Sequence, residues 1–209
     1  ILKVINDSES ELSNNESIGI AKEYSTLLFQ YYLQISLKET QELKFLCEIY
    51  ELGQIKRKIK KNKPDSDYMI GRYYCIMDNC GLNLLEYILK NNIDQSKMIN
   101  IFIQCAEALK ILHNLDFLHM DIKLENYVIK DDQVKIIDFG EKKKNGSTTD
   151  IPIGTDCYLD LSLYCKKQKN IVKLTKNMDI YSLGILYYVF NELNNINNNN
   201  KTQKKYETI

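Results

Sequence analysis

Two clusters of polar residues, 138 − 121 = 17 positions apart, constrain this chain more than any other feature: His119-Met120-Asp121-Ile122-Lys123-Leu124-Glu125-Asn126 and Asp138-Phe139-Gly140. Between them Tyr127–Ile129 and Val134–Ile137 have strand character, and Asp131-Asp132 is a turn pair. A hairpin of that length returns the chain to its start, so it carries both clusters to one place. Asp121 offers a carboxylate that can accept a proton. Lys123, two residues later, points the same way on an extended loop. Asn126 and Asp138 offer oxygen ligands of the hard type that magnesium prefers. Gly140 lets the backbone turn sharply just after the second of them.

The rest of the chain must supply a frame for that hairpin. Its 209 residues allow a sizeable core, and 44% hydrophobic with 27% charged residues is ordinary for a globular protein. Twenty-eight basic residues balance 28 acidic ones, so charge gives no support for nucleic acid or a membrane surface as partner. No charged, apolar, small-residue leader follows Ile1, so no signal peptide is expected. The longest apolar stretch, near Ile180–Phe190, is too short and polar to span a bilayer. Six cysteines (Cys47, Cys75, Cys80, Cys105, Cys157, Cys165) lack the paired C-x-x-C spacing of a zinc site. Reduced thiols in a cytoplasmic or nuclear compartment are the expectation.

Along the chain, Ile1–Ile5 reads as a strand and Asn6–Glu16 as a polar stretch. Ile20, Tyr24, Leu27, Leu28, Tyr31 and Ile35 recur at helical spacing. Phe45–Leu52 reads as a strand ending at Gly53, Lys56–Lys63 as a basic hairpin tip, and Tyr68–Met77 as another strand. After Asp78–Gly81 the character turns helical: Leu84–Leu89, then Gln95–Leu115 with Ile101, Cys105, Leu109 and Leu112 along one face. Glu141–Thr155 is a polar loop. Asn177–Phe190 is apolar nearly all round and predicts a buried helix. The asparagine-rich 191–209 is expected to be a disordered tail. Strands with one helix, then mostly helices, predict two lobes meeting near Asp78–Gly81.

Phosphoryl transfer from a nucleotide needs a positioned acceptor hydroxyl, metal bridging the phosphates, and compensation of charge on the moving group. Asp121, Asn126 with Asp138, and Lys123 match those needs in turn. H-x-D-x-K-x-x-N followed by D-F-G closely resembles the protein kinase family, serine/threonine type. The resemblance implies an α+β, two-lobed kinase-like fold. A partial N-lobe would span 1–79, truncated before the lysine strand. A partial C-lobe would span 80–190, truncated after the central buried helix. ATP and magnesium are the implied cofactors, and a protein substrate the implied partner.

The same resemblance assigns further residues. Lys3 looks like the V-A-I-K lysine that contacts the α- and β-phosphates. Glu23, 23 − 3 = 20 residues on, looks like its ion-pair partner, with Glu16 the competitor and a plain helix charge the alternative. Met77 would be the gatekeeper, with the backbone of Asp78 and Cys80 on adenine and Val128 packed beneath it. A plain turn is the other reading of 77–81. Gly154-Thr155 and Tyr158 resemble G-T-x-x-Y, which puts Thr155 near Asp121 and Lys123. Asp179 resembles the carboxylate that holds the backbone of the His119 loop, against the simpler role of helix N-cap. His119 packs beneath Phe139 in that scheme, while His113 reads as an ordinary helix-end residue.

Four departures from the family pattern stand out. No glycine-rich loop precedes Lys3 in this chain. Met120 replaces the arginine of H-R-D, so activation by phosphate through that residue is not expected. Asp160-Leu161-Ser162 stands where A-P-E belongs. The chain ends soon after the Asp179 helix. An active or formerly active kinase is the leading reading. A pseudokinase acting as a nucleotide-binding or scaffold module is the alternative. A small-molecule kinase of the aminoglycoside or choline type fits less well, because Lys123 is generally lacking there.

Overall fold

The computed structural model describes residues 2–5, 14–59, 68–164 and 171–206. The chain divides into two compact units: Ile1–Leu43 with Cys47–Asn79, and Lys44–Leu46 with Cys80–Ile209. Each mixes helix and strand, and the fold class is α+β as the sequence implied.

In the first unit, β1 (Leu2–Ile5), β3 (Tyr68–Met77) and β2 (Ile49–Ile59) form an antiparallel sheet in the order β1-β3-β2. Helix α1 (Asn14–Ser36) lays Leu27 against Cys75 of β3 and Ile49 of β2, with Tyr24 and Tyr31 flanking that contact. Gln30 and Gln34, one turn apart, reinforce the packing. Gln30 Nε2 donates to the Cys47 carbonyl at 2.7 Å. Gln34 Nε2 donates to the Ile49 carbonyl at 3.0 Å while its Oε1 accepts from Ile49 N at 2.7 Å. A primary amide is shaped like a peptide group, so Gln34 satisfies both polar atoms of a buried strand residue.

The strand expected over Phe45–Leu52 is broken. Gln41–Phe45 is a 3-10 helix, and Leu46 leaves to form an isolated bridge with Ile136 of the second unit's own hairpin. Lys135 Nζ donates to the Leu46 carbonyl at 2.8 Å and holds it there. Strand β2 therefore starts at Ile49 and runs past Gly53 to Ile59, because β3 pairs with it as far as Ile59↔Tyr68. The expected hairpin tip lies at 60–67 and the polar stretch at 6–13, outside the described residues.

The second unit is built on two long helices, α3 (Gln95–Asn114) and α5 (Lys176–Tyr206). A short helix α2 (Leu84–Lys90) precedes them, and a three-stranded sheet runs β4 (Leu82–Asn83), β6 (Tyr127–Lys130), β7 (Gln133–Ile136). Asn83 and Asp94 cap α2 and α3, their side chains accepting from Glu86 N and Lys97 N at 2.9 and 2.8 Å. The β6–β7 turn is Asp131-Asp132, both at positive φ (51° and 62°), the two-residue geometry whose twist suits a hairpin. Gln104 of α3 secures it, accepting from Val134 N and donating to the Asp132 carbonyl, both at 2.9 Å.

Helix α5 continues through the stretch 191–206, which was expected to be disordered. Asparagine is a poor helix former, but here its amides act at long range. Asn194 Nδ2 donates to the Ile93 carbonyl at 2.8 Å. Asn197 Nδ2 donates to the Ile88 and Asn91 carbonyls at 2.7 and 2.9 Å. These carbonyls at the end of α2 and in the turn after it have no partner within a helix, so the asparagines answer a real deficit. Residues 207–209, like 165–170, lie outside the described residues.

Two tiny pairings complete the unit: β5 (Phe117–Leu118) with β8 (Lys143–Lys144), and β9 (Thr148–Thr149) with β10 (Val172–Lys173). One strand of each pair, β8 and β9, falls in the loop expected over Glu141–Thr155, and the pairings tie that loop down. Helix α4 (Leu161–Tyr164) follows. Cys75, Cys105 and Cys157 are free thiols, whereas Cys47 is in a disulfide, against the expectation of reduced thiols. Cys165 lies outside the described residues.

Candidate active site

The loop that opens with His119 is held from below by α5. Asp179, in the helix's first turn and 1% exposed, accepts from His119 N (Oδ2, 2.8 Å) and Met120 N (Oδ1, 2.9 Å). Its carboxylate thus binds the loop's backbone and is more than a helix cap. His113 Nε2 also lies 2.9 Å from Asp179 Oδ2, so this helix-end residue belongs to the same network. Nothing in the spacing of the two histidines marks that role. His119 is fully buried; its Nε2 lies 3.0 Å from the Ile137 carbonyl, and its ring stands 5.6 Å from that of Phe139. The loop and the Asp138 segment are therefore joined directly, not only by their hairpin.

On this support four side chains converge. Asp121 Oδ1 accepts from Thr155 Oγ1 at 2.6 Å. Asp121 Oδ2 faces Lys123 Nζ at 2.8 Å and accepts from Asn126 Nδ2 at 2.9 Å. Lys123 Nζ donates in turn to Thr155 Oγ1 at 2.9 Å. Burial alone would push the Asp121 carboxyl up. The Lys123 ammonium, the Thr155 hydroxyl and the Asn126 amide outweigh it and hold the group below its ordinary value. Asp121 is therefore an anion at neutral pH, able to accept a proton or orient a hydroxyl.

The hairpin register brings the two expected metal ligands to one end. Tyr127 pairs with Ile136, and Ile137 N donates to the Asn126 carbonyl at 3.0 Å, so Asp138 follows directly beside Asn126. Asp138 has a positive φ of 63° and is exposed, while Phe139 is buried and Gly140 N donates to Asp138 Oδ1 at 3.2 Å. Asn126 Nδ2 also donates to the Asp121 carbonyl at 2.7 Å, so its amide hydrogens are committed to Asp121 and its Oδ1 is the atom left for a cation. Among the described residues no group of three His, Cys, Asp or Glu side chains is arranged as a metal site. Two oxygen donors suit magnesium, which is commonly bound by one or two protein oxygens together with phosphates and water.

Thr155 reaches Asp121 because Gly154 lets the chain pass. Gly154 has φ +109°, and a Cβ there would lie 2.3 Å from the Met120 carbonyl oxygen. Met120, in place of arginine, is itself at φ 65° and buried. Ser162, in place of the glutamate of A-P-E, bonds only locally in the contacts described: its N and Oγ donate to Asp160 Oδ1 at 2.8 and 2.6 Å.

The other expected site residues divide between the units. Lys3 lies in β1 opposite Cys75, and Cys75 packs on Leu27, one turn beyond Glu23 on α1. That register brings the Lys3 position and the Glu23 turn to the same part of the sheet. Met77 ends β3 in the same cluster, and Asp78 N donates to the Glu48 carbonyl at 2.8 Å. In the second unit, Cys80 is buried, and Val128 is buried in β6 between Asn83 and Lys135.

A family model described as the protein kinase domain matches residues 37–209. The chain belongs to that family. It is 28% identical to serine/threonine-protein kinase mph1 of Schizosaccharomyces pombe over 63% of its own length. It is 31% identical over 51% to serine/threonine-protein kinase max-2 of Caenorhabditis elegans, and 26% over 56% to serine/threonine-protein kinase 33 of Bos taurus. These matches cover 22%, 16% and 26% of the relatives' own lengths. No helix among the described residues is long and apolar enough to cross a membrane.

Proposed function

We propose that the protein transfers the γ-phosphate of ATP to a serine or threonine hydroxyl of a protein substrate, with Asp121 as the base. One observation carries this reading: Asp121, Lys123, Asn126 and Thr155 form a closed hydrogen-bonded set around an ionised carboxylate. A substrate hydroxyl arriving at Asp121 would donate to it, which raises the oxygen's electron density and points it at the phosphorus. Lys123 carries positive charge at the same place, where it offsets charge on the transferred group. Thr155 holds one Asp121 oxygen, Oδ1, while Lys123 and Asn126 hold the other. Asn126 and Asp138 would hold magnesium, which when bound neutralises phosphate charge. Lys3, Glu23, Met77, Asp78, Cys80 and Val128 are assigned to the nucleotide by their likeness to the family motifs.

The alternative, a pseudokinase acting as a nucleotide-binding or scaffold module, draws on the altered A-P-E stretch, where Ser162 replaces the glutamate and bonds the neighbouring Asp160 carboxylate. Incubating the full-length protein with radiolabelled ATP, magnesium and mixed protein substrates separates the two. Label recovered as phosphoserine or phosphothreonine is the expected result. Label on tyrosine alone would overturn the acceptor class. Nucleotide binding with no transfer would favour the pseudokinase. The cytoplasmic or nuclear setting suggested by composition belongs with this proposal and is checked by imaging the tagged full-length protein.

A further inference from the structure

Met120 lies between His119 and Asp121, and only 5% of it is exposed. Its side chain packs in a cluster with Ile153, Leu159, Leu174 and Met178. Ile153 and Leu159 bracket Gly154-Thr155, the segment whose hydroxyl reaches Asp121. Backbone meets backbone at the same point, since Gly154 passes within a Cβ's width of the Met120 carbonyl. The chain's arginines are Arg57 and Arg72, both on strands of the first unit, so the second unit's own sequence supplies no guanidinium to do the same work. Thr155 is thus tied to the Asp121 loop by close main-chain approach and by apolar packing.

We propose that Met120 is a positioning residue: its buried side chain grips Ile153 and Leu159 and so holds the Thr155 hydroxyl on the Asp121 carboxylate. The proposal rests on the reading of Asp121 as base, and it assigns a job to the residue that departs most from the family motif. A misplacement on the order of 1 Å in such a group costs up to about a hundredfold in rate, so the packing has room to matter. Apolar packing is also not screened by salt, unlike an ion pair.

The test uses the full-length protein with Met120→Ala, Met120→Leu, Thr155→Ala and the double variant Met120→Ala/Thr155→Ala. Met120→Ala should lower kcat about tenfold or more. KM for ATP should stay within about twofold, because the nucleotide is not what Met120 positions. In the Thr155→Ala background the same change should cost less than about twofold, since the hydroxyl it acts through is gone. Met120→Leu should recover most of the lost rate. Equal losses in both backgrounds, or a leucine variant as damaged as the alanine one, would overturn the proposal. Should Met120→Ala not fold, Met120→Gln takes its place in the cycle with the same outcomes. Hydrogen exchange over Ile153–Leu159 separates this idea from the proposed activity. A wild type that transfers no phosphate overturns the activity. Faster exchange in the alanine variant but not the leucine variant still supports the grip, and unchanged exchange overturns it.

Discussion

Asp121 is the residue on which the chemistry turns, and its environment makes an acid-side prediction. Its folded pKa lies below the ordinary value of 3.8, so its contribution to stability is complete above that value and fades as pH falls through the lower folded one. Melting temperature followed from pH 7 down to about pH 2 should therefore drop less steeply at the acid end for Asp121→Asn than for wild type. Parallel curves would mean that the carboxylate gains nothing from Lys123, Thr155 and Asn126. Asp179 makes a different kind of prediction. Asp179→Ala removes the acceptor for His119 N, Met120 N and the His113 ring, and it leaves two buried amides unsatisfied. A loss of about 3 kcal/mol or more is expected in urea unfolding, against about 1 kcal/mol for a simple helix cap. Asp121, Lys123, Asn126 and Asp138 were legible in the sequence because the chain holds them close and the motif is rare. His113 and Met120 were not. Their partners lie 66 residues away for His113, and spread over residues 118–178 for Met120.

At the scale of elements, long-range amides decide which segments are ordered. Asn197→Ala frees the Ile88 and Asn91 carbonyls, and should destabilise the protein by about 1–3 kcal/mol in urea unfolding. A change near zero would mean that solvent serves those carbonyls equally well. Gln34→Leu keeps the volume on α1 but withdraws both partners of Ile49, and a loss of similar size is expected. Helix α3 and the β6–β7 hairpin are legible from local signals: the spacing of Ile101, Cys105, Leu109 and Leu112, and Asp131-Asp132 in the turn. The asparagine run is not. Its local propensity opposes helix, and the contacts of Asn194 and Asn197 span 101 to 109 residues. The break at Leu46 has no local signal either, because Lys135 and Ile136 claim it from 89 and 90 residues on (136 − 46 = 90).

For the whole molecule, each unit carries residues that likeness to the family motifs assigns to the proposed reaction. The first presents the β1 register of Lys3 on the sheet that packs under α1 and Glu23. The second completes the Asp121 constellation within itself, from the His119 loop, the β6–β7 hairpin, the Thr155 segment and the first turn of α5. That completeness makes the second unit the place to test the account. The most direct measurement is the rate of phosphate transfer by the full-length protein, wild type against Asp121→Asn, at saturating ATP and magnesium. The asparagine variant should still bind nucleotide and should lose about 10²–10⁴ in kcat, the usual worth of a positioned base. Transfer within about tenfold of wild type would contradict the assignment of Asp121 and, with it, the account given of this site.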